Sequence, residues 1–403
     1  MTIKFLRAAM TAGLMLGFAA GTAVAQSSAP KLTASVGQQL NAAQTAGKAK
    51  DFPGALAAIE KAKGISSKKP YDELWIYRIE MNTYIQMQDM VGAAKAAEAA
   101  ADLDPAAIPD AEKAGVYKPA LQLALNQKHY DKAGKYAKLF LATTPPPAAA
   151  DRSLATRALF FSGDYAGATA MAQQSIDAAT AAGQKPLRDD LDIVMNSQVK
   201  QNDQAGAEKT LETLVTNYGD ADDWKQILGV SLSTKGMRDV DYVYVGRLWP
   251  LTGAPMTAAD ASLFGSTASK LGLYGDAVNA VKQGGTVSPD PAPRAEADKK
   301  TIPAQIAAGK GKEGGQYNVK LAQALYGYGM YAEAEAAAKL AQTKGGATDP
   351  TEAPMMIGMA QAAQNNYADA AATFAGITAP NPASARVVRL WTAYVKQKAT
   401  PAQ

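Results

Sequence analysis

A chain of 403 residues that is 47% hydrophobic and 19% charged has enough apolar material for a folded core, and is neither a disordered polyelectrolyte nor a multi-span membrane protein. Lys and Arg total 41 against 37 Asp and Glu, a formal +4 that is too balanced for a nucleic-acid footprint. The absence of cysteine and the single histidine exclude thiol chemistry, disulfides, Cys-based zinc or iron–sulfur centres, and any site built on two imidazoles.

The first predicted element is a secretory signal over residues 1–25. Lys4 and Arg7 precede an uncharged apolar stretch from Ala8 to Ala20, and Ala23-Val24-Ala25 supplies an A-x-A end, which predicts cleavage after Ala25. An uncleaved anchor is the alternative, since the uncharged run extends to Ala25 and approaches membrane-spanning length. Gly13, Gly17 and Gly21 suit a signal better than a span. The sequence thus predicts a periplasmic protein with no stable membrane insertion after cleavage. The mature chain is too long for one compact core, so internal repetition is expected.

One pattern does recur: a polar or Gly dipeptide, a large residue, two variable positions, then Ala. It runs Lys50-Asp51-Phe52 to Ala55, Gln88-Asp89-Met90 to Ala93, Lys128-His129-Tyr130 to Ala133, Gly163-Asp164-Tyr165 to Ala168 and Asn202-Asp203-Gln204 to Ala207. It continues with a weaker Lys235-Gly236-Met237 to Val240, then Gly272-Leu273-Tyr274 to Ala277, Gly329-Met330-Tyr331 to Ala334 and Asn365-Asn366-Tyr367 to Ala370. Successive large residues lie 38, 40, 35, 39, 33, 37, 57 and 36 positions apart. Seven residues after each stands an apolar side chain, Ile59, Ala97, Ala137, Ala172, Leu211, Tyr244, Val281, Ala338 or Phe374. Positions 0, 3 and 7 share one helical face, so each anchor opens an amphipathic helix, and another helical stretch precedes it. Val240 to Val245 alternates like a strand, but an isolated strand would have no pairing partner, so helix is expected there too.

With Gly163-Asp164-Tyr165-Ala166-Gly167-Ala168 as its best copy, the array resembles the tetratricopeptide repeat family, in degenerate form. The resemblance implies an all-α fold, an α-solenoid of about nine helical hairpins with a C-terminal capping helix. Repeats would fill 26–283 and 316–380, and residues 381–403 would form the cap and tail. Between them, 284–315 is rich in Pro, Gly and Lys and reads as an exposed insertion or hinge, or as a partner-touching loop.

Sequence signatures of chemistry are thin. Gly309-Lys310-Gly311-Lys312-Glu313-Gly314-Gly315 is phosphate-loop-like but lacks the Lys-Ser/Thr that should follow its last Gly. His129 occupies a turn position held by Asp51, Asp89 and Asp164 in sibling repeats, and the acidic runs at 188–192 and 220–223 read as helix caps. No catalytic residue, metal or cofactor is predicted. In the family the first helices line a concave groove, which here selects positions eight and twelve before each anchor. These are Arg78 and Asn82, Lys118 and Gln122, Ser153 and Arg157, Asp192 and Asn196, and Ser262 and Ser266. Arg78, Asn82, Lys118, Gln122, Arg157 and Asn196 form the expected partner-binding set; the other reading makes them ordinary solvated residues. Trp75, Phe160, Tyr326 and Met355 are either groove aromatics and apolars or core. The resemblance implies a non-catalytic scaffold or adaptor of the bacterial cell envelope that binds a protein, a peptide or an envelope polymer. The alternatives are a carrier of an apolar or glycan ligand and a glycan-active enzyme built of helical hairpins.

Overall fold

The structure, a computed structural model, describes residues 30–399, so the expected signal at 1–25 lies outside the described residues. Every regular element there is helical, with no strand among the described residues. The helices follow as α1 (Ala34–Lys48), α2 (Phe52–Lys63), α3 (Pro70–Gln86), α4 (Met90–Ala101), α5 (Asp110–Asn126), α6 (Tyr130–Leu141) and α7 (Ala149–Phe161). Next come α8 (Tyr165–Ala181), α9 (Arg188–Lys200), α10 (Gln204–Asn217), α11 (Ala221–Leu232), α12 (Asp239–Leu248), α13 (Ala258–Lys270) and α14 (Tyr274–Lys282). The last six are α15 (Ala292–Gly311), α16 (Gln316–Gly327), α17 (Tyr331–Lys344), α18 (Glu352–Ala363), α19 (Tyr367–Ala375) and α20 (Pro382–Ala399). The architecture is a tetratricopeptide-like all-α solenoid of degenerate repeats.

Eight of the nine sequence anchors are the first residue of a helix, and the ninth, Met237, falls two residues before α12. The turn chemistry explains why. The residue two before the anchor takes a left-handed conformation, as Gly does at Gly163 (φ 84°) and Lys, Gln or Asn do at Lys50, Gln88 and Asn202 (φ 59–61°). The next residue caps the new helix: Asp51, Asp89, Asp164 and Asp203 each accept a hydrogen bond from a Gly amide three residues on, at 2.9–3.0 Å. The Ala three after the anchor is fully buried at Ala55, Ala93, Ala133, Ala168, Ala277, Ala334 and Ala370, which lets the two helices of a repeat approach closely.

The described residues divide into two compact units, 30–128 with 143–145 and 129–142 with 146–399. The first holds α1 to α5. Val36, Leu40, Ile59, Ile76 and Ile79 form its amino-terminal core, and Thr33 at the start of α1 donates backbone and side-chain hydrogen bonds to buried Asp72 on α3 (2.8 and 2.7 Å).

The second unit, α6 to α20, is organised around α12. Val243, Tyr244, Val245, Arg247 and Leu248 are all buried, so α12 is covered on every side, which is why its sequence lacks a polar face and alternates like a strand. Gly246 makes the packing possible: a Cβ there would lie 2.3 Å from the Phe264 ring of α13. Arg247 donates to both carboxylate oxygens of Asp276 on α14 (2.9 and 2.7 Å) and to the Gln323 carbonyl on α16 (2.6 Å), with its guanidinium 4.6 Å over the Tyr326 ring.

The carboxy-terminal helix α20 packs on α19 as a cap should, and it also folds back onto the middle of the chain. Ser384 donates to Asp241 (2.8 Å), the Trp391 indole to the Tyr244 carbonyl (3.1 Å), Arg389 pairs with Glu212 (2.9 Å) and Arg386 pairs with Glu208.

The stretch read as an insertion or hinge at 284–315 contains a helix. Positions 292–311 form α15, with a buried stripe of Ala295, Ile302 and Gly309 every seventh residue. Pro303 is accommodated because it lies on the exposed side.

Candidate partner-binding surface

In the first unit two helices carry the expected positions. On α3, Tyr71, Trp75, Arg78 and Asn82 recur at helical spacing and are all half-buried; on α5, Lys118 and Gln122 lie one turn apart and are half-buried, as is Glu112 nearer the start of the helix. Neither helix is apolar along this side, so the strip combines aromatic, amide and charged groups within one surface.

Its centre is a cross-helix cluster. Glu112 accepts from the Tyr71 hydroxyl (2.8 Å) through one carboxylate oxygen and from Arg78 (2.5 Å) through the other. The Arg78 guanidinium lies 4.8 Å over the Trp75 ring, and Tyr71 meets Trp75 edge-on with centroids 6.4 Å apart. Arg78 is therefore compensated within its own unit, and its part is to fix the Trp75 ring. The Trp75 indole nitrogen is itself buried, so what this half-exposed residue shows to solvent is carbon surface of its ring. Burial pushes the Tyr71 phenol up, with the neighbouring Glu112 charge acting in the same sense, so it stays a donor at neutral pH.

Tyr71 and Glu112 were not among the sequence candidates. Tyr71 was accessible as the residue one turn before Trp75 on the same stripe. Glu112 was not, because its partners lie 41 and 34 residues away.

In the second unit Arg157 on α7 and Asn196 on α9 are drawn into their own packing. The Arg157 Nε is buried without a partner, as is the outer oxygen of Asp190, a carboxylate that burial pushes up against the opposing pull of the Arg157 charge. Asn196 donates its amide to the Asp192 carbonyl one turn back (2.7 Å). Asp192 itself is pushed up to about 6 by burial, although Arg188 lies 3.4 Å away. Ser262 on α13 donates to the Ala258 carbonyl (2.6 Å). Further along, the same register is occupied by core: Val319 and Gln323 on α16, and Met355 and Met359 on α18, are buried. Gln323 donates to the Tyr244 hydroxyl (3.2 Å), so α12 covers the side of α16 that an open array would leave to solvent.

Of the four aromatic or apolar residues that could have been groove or core, Phe160, Tyr326 and Met355 are core and Trp75 alone is half-exposed on the α3 strip. The first unit thus carries Arg78 and Asn82 on α3 and Lys118 and Gln122 on α5, two helices joined through Glu112, whereas Arg157 and Asn196 belong to the second unit.

No family model and no curated protein matches the sequence. Among solved structures the chain is similar to yeast Tom70, with 10% identity over 84% of each chain and a TM-score of 0.24. It is also similar to the pentatricopeptide repeat protein PPR10 from maize, with 10% identity over 87% of this chain and 61% of that one, at a TM-score of 0.30.

Proposed function

We propose that this chain is an exported, non-catalytic scaffold that holds an extended segment of a protein partner against the α3–α5 surface of its first unit. The observation that carries the reading is the half-exposed Trp75 ring, held by Arg78 and Tyr71 on a helix that also presents the half-buried Asn82, with Lys118 and Gln122 half-buried on α5. A peptide backbone offers the acceptors and donors that the amides require, and the Trp75 ring supplies contact area at low entropic cost. Arg78, locked between Glu112 and Trp75, prepares the surface rather than gripping the partner, which lowers the ordering cost of binding. The signal-like residues 1–25 support export, and with it a bacterial periplasmic setting and a role in a cell-envelope assembly.

The test is capture of partners from an envelope extract by residues 26–403, beside a Trp75→Ala/Asn82→Ala/Gln122→Ala version whose helicity is checked by circular dichroism. A defined protein retained by the first and lost from the still-helical second supports the reading. Equal retention by both removes this surface from the interaction.

A further inference from the structure

The inserted helix α15 is held unevenly. At its carboxy-terminal end the Lys344 ammonium donates to the carbonyls of Gly309, Lys310 and Lys312 (2.8, 3.0 and 2.6 Å), and Asn318 donates to the Gly309 carbonyl (3.1 Å). A Cβ on Gly309 would lie 2.6 Å from Asn318, so that end is in close contact. Towards its amino-terminal end α15, together with α14 and the turn from α16 to α17, lines a half-open cleft of about 270 Å³.

The floor of this cleft is peptide backbone, because α14 and α16 meet there glycine to glycine: a Cβ on Gly275 would lie 2.7 Å from the Gly327 backbone. Val278, Ala292 and Ala295 give one wall and the rings of Tyr328 and Tyr331 another. Tyr328 is fixed by its hydroxyl, which donates to Asp298 (2.7 Å), and burial is the first cause that pushes that phenol up, so it keeps its proton. Two ammonium groups stand at the rim. Lys299 pairs with Glu296 (3.3 Å), while Lys282 makes no ion pair among the described residues. The rim therefore carries one uncompensated positive charge beside an aromatic wall and a short apolar wall.

We propose that this cleft is a binding site for a small organic carboxylate with a flat apolar body. The carboxylate would lie on Lys282 with Lys299 beside it, a charge-assisted contact, and the body would lie between the tyrosine rings and the Val278–Ala292 wall. The cleft is slightly below the size of pockets that take drug-sized molecules, which limits the ligand to a single ring or one or two residues of a chain end. Nothing in this site belongs to the α3–α5 surface, so either reading can fail alone.

The probes are phenylacetate, its neutral analogue phenylacetamide, and acetyl-Ala-Phe with a free or an amidated carboxy terminus, each followed by ligand-observed NMR and titration calorimetry on the purified protein. Phenylacetate should bind with a Kd of about 1 mM or tighter. Phenylacetamide, or phenylacetate on a Lys282→Gln protein, should bind about tenfold more weakly, the expected loss of one charged contact. Lys282 is exposed, so its substitution leaves folding intact, and a Trp75→Ala protein should bind phenylacetate as the wild type does. Binding of the free-ended peptide in preference to phenylacetate identifies a chain end as the source of the carboxylate, and the reverse identifies a free acid. Equal binding of acid and amide, an unchanged Kd in Lys282→Gln, or no binding of any probe overturns the proposal.

Discussion

Arg247 and Asp276 are each only a few per cent exposed, and such a pair is stable only because the guanidinium is well supplied: two bonds to the carboxylate, one to the Gln323 carbonyl, one to the Met356 sulfur, and a tyrosine ring beneath. Removing one partner strands the other charge in the core. Arg247→Met should cost about 3–5 kcal/mol and lower the unfolding temperature of the second unit by roughly 10 °C. Arg247→Lys should not restore it, since a single ammonium cannot reproduce the bidentate geometry. Calorimetry reads both, and a wild-type transition in either variant contradicts the role assigned to the fork. Asp192 is a different kind of buried acid. Burial, reinforced by Asp223 and Asp189 and opposed by Arg188, raises its folded value from 3.8 to about 6. Between those two values the folded chain binds more protons than the unfolded one, so this group's contribution is complete below pH 3.8 and is lost as pH rises through about 6. The change is on the order of 3 kcal/mol at most. In urea titrations at pH 4 and pH 7, Asp192→Asn should gain stability relative to wild type at the higher pH and little at the lower. The same difference at both pH values would deny the raised value.

Helix starts are governed by local chemistry, and this made them readable in advance. Asp89 is an exposed cap whose carboxylate accepts from the Gly92 amide at 2.9 Å, so Asp89→Ala should cost about 1 kcal/mol, measurable as a lower urea midpoint with unchanged slope. His129, Leu273 and Met330 stand at the same position and make no side-chain cap, so alanine at Leu273 should cost nothing through capping. The anchors and the Ala three residues later were legible because both act within one turn of helix. The residue seven after the anchor is buried in eight copies and fails at Val281, which is 42% exposed in the last turn of the short α14, where the stack is interrupted by α15. That helix was the element least visible in the sequence. Its ends are turn-rich, and Pro303 suggests a break, yet the proline lies on the exposed side, where solvent can serve the carbonyl that loses its backbone bond. The strip on α3 and α5 was half legible: spacing selects Arg78, Asn82, Lys118 and Gln122, while the partner that neutralises Arg78 is a tertiary fact.

At the scale of each unit the same repeat chemistry gives two regimes. In the first, helices pack mainly on their chain neighbours, as in a solenoid whose stability is a sum of nearest-neighbour terms. In the second, α20 brings residues 143–177 positions apart into hydrogen-bond contact across α10 and α12, and the Gln323–Tyr244 bond joins α16 to α12 across 79 positions. Loop closure of that length has to precede the contacts that reward it, so this unit should fold more slowly and more cooperatively than an open array. Removing α20 would uncover Tyr244 and Trp224, both fully buried, and would strip Glu208 and Glu212 of their arginines. A chain ending at residue 381 should therefore lose amide-exchange protection in α10 and α12, far from the cut in sequence, as well as in α19 beside it, while α1 to α4 keep theirs. Hydrogen–deuterium exchange resolved by peptide reads this directly. Loss confined to α19 would mean that α20 is an end cap and nothing more, and that the contacts on α10 and α12 contribute little to holding the second unit together.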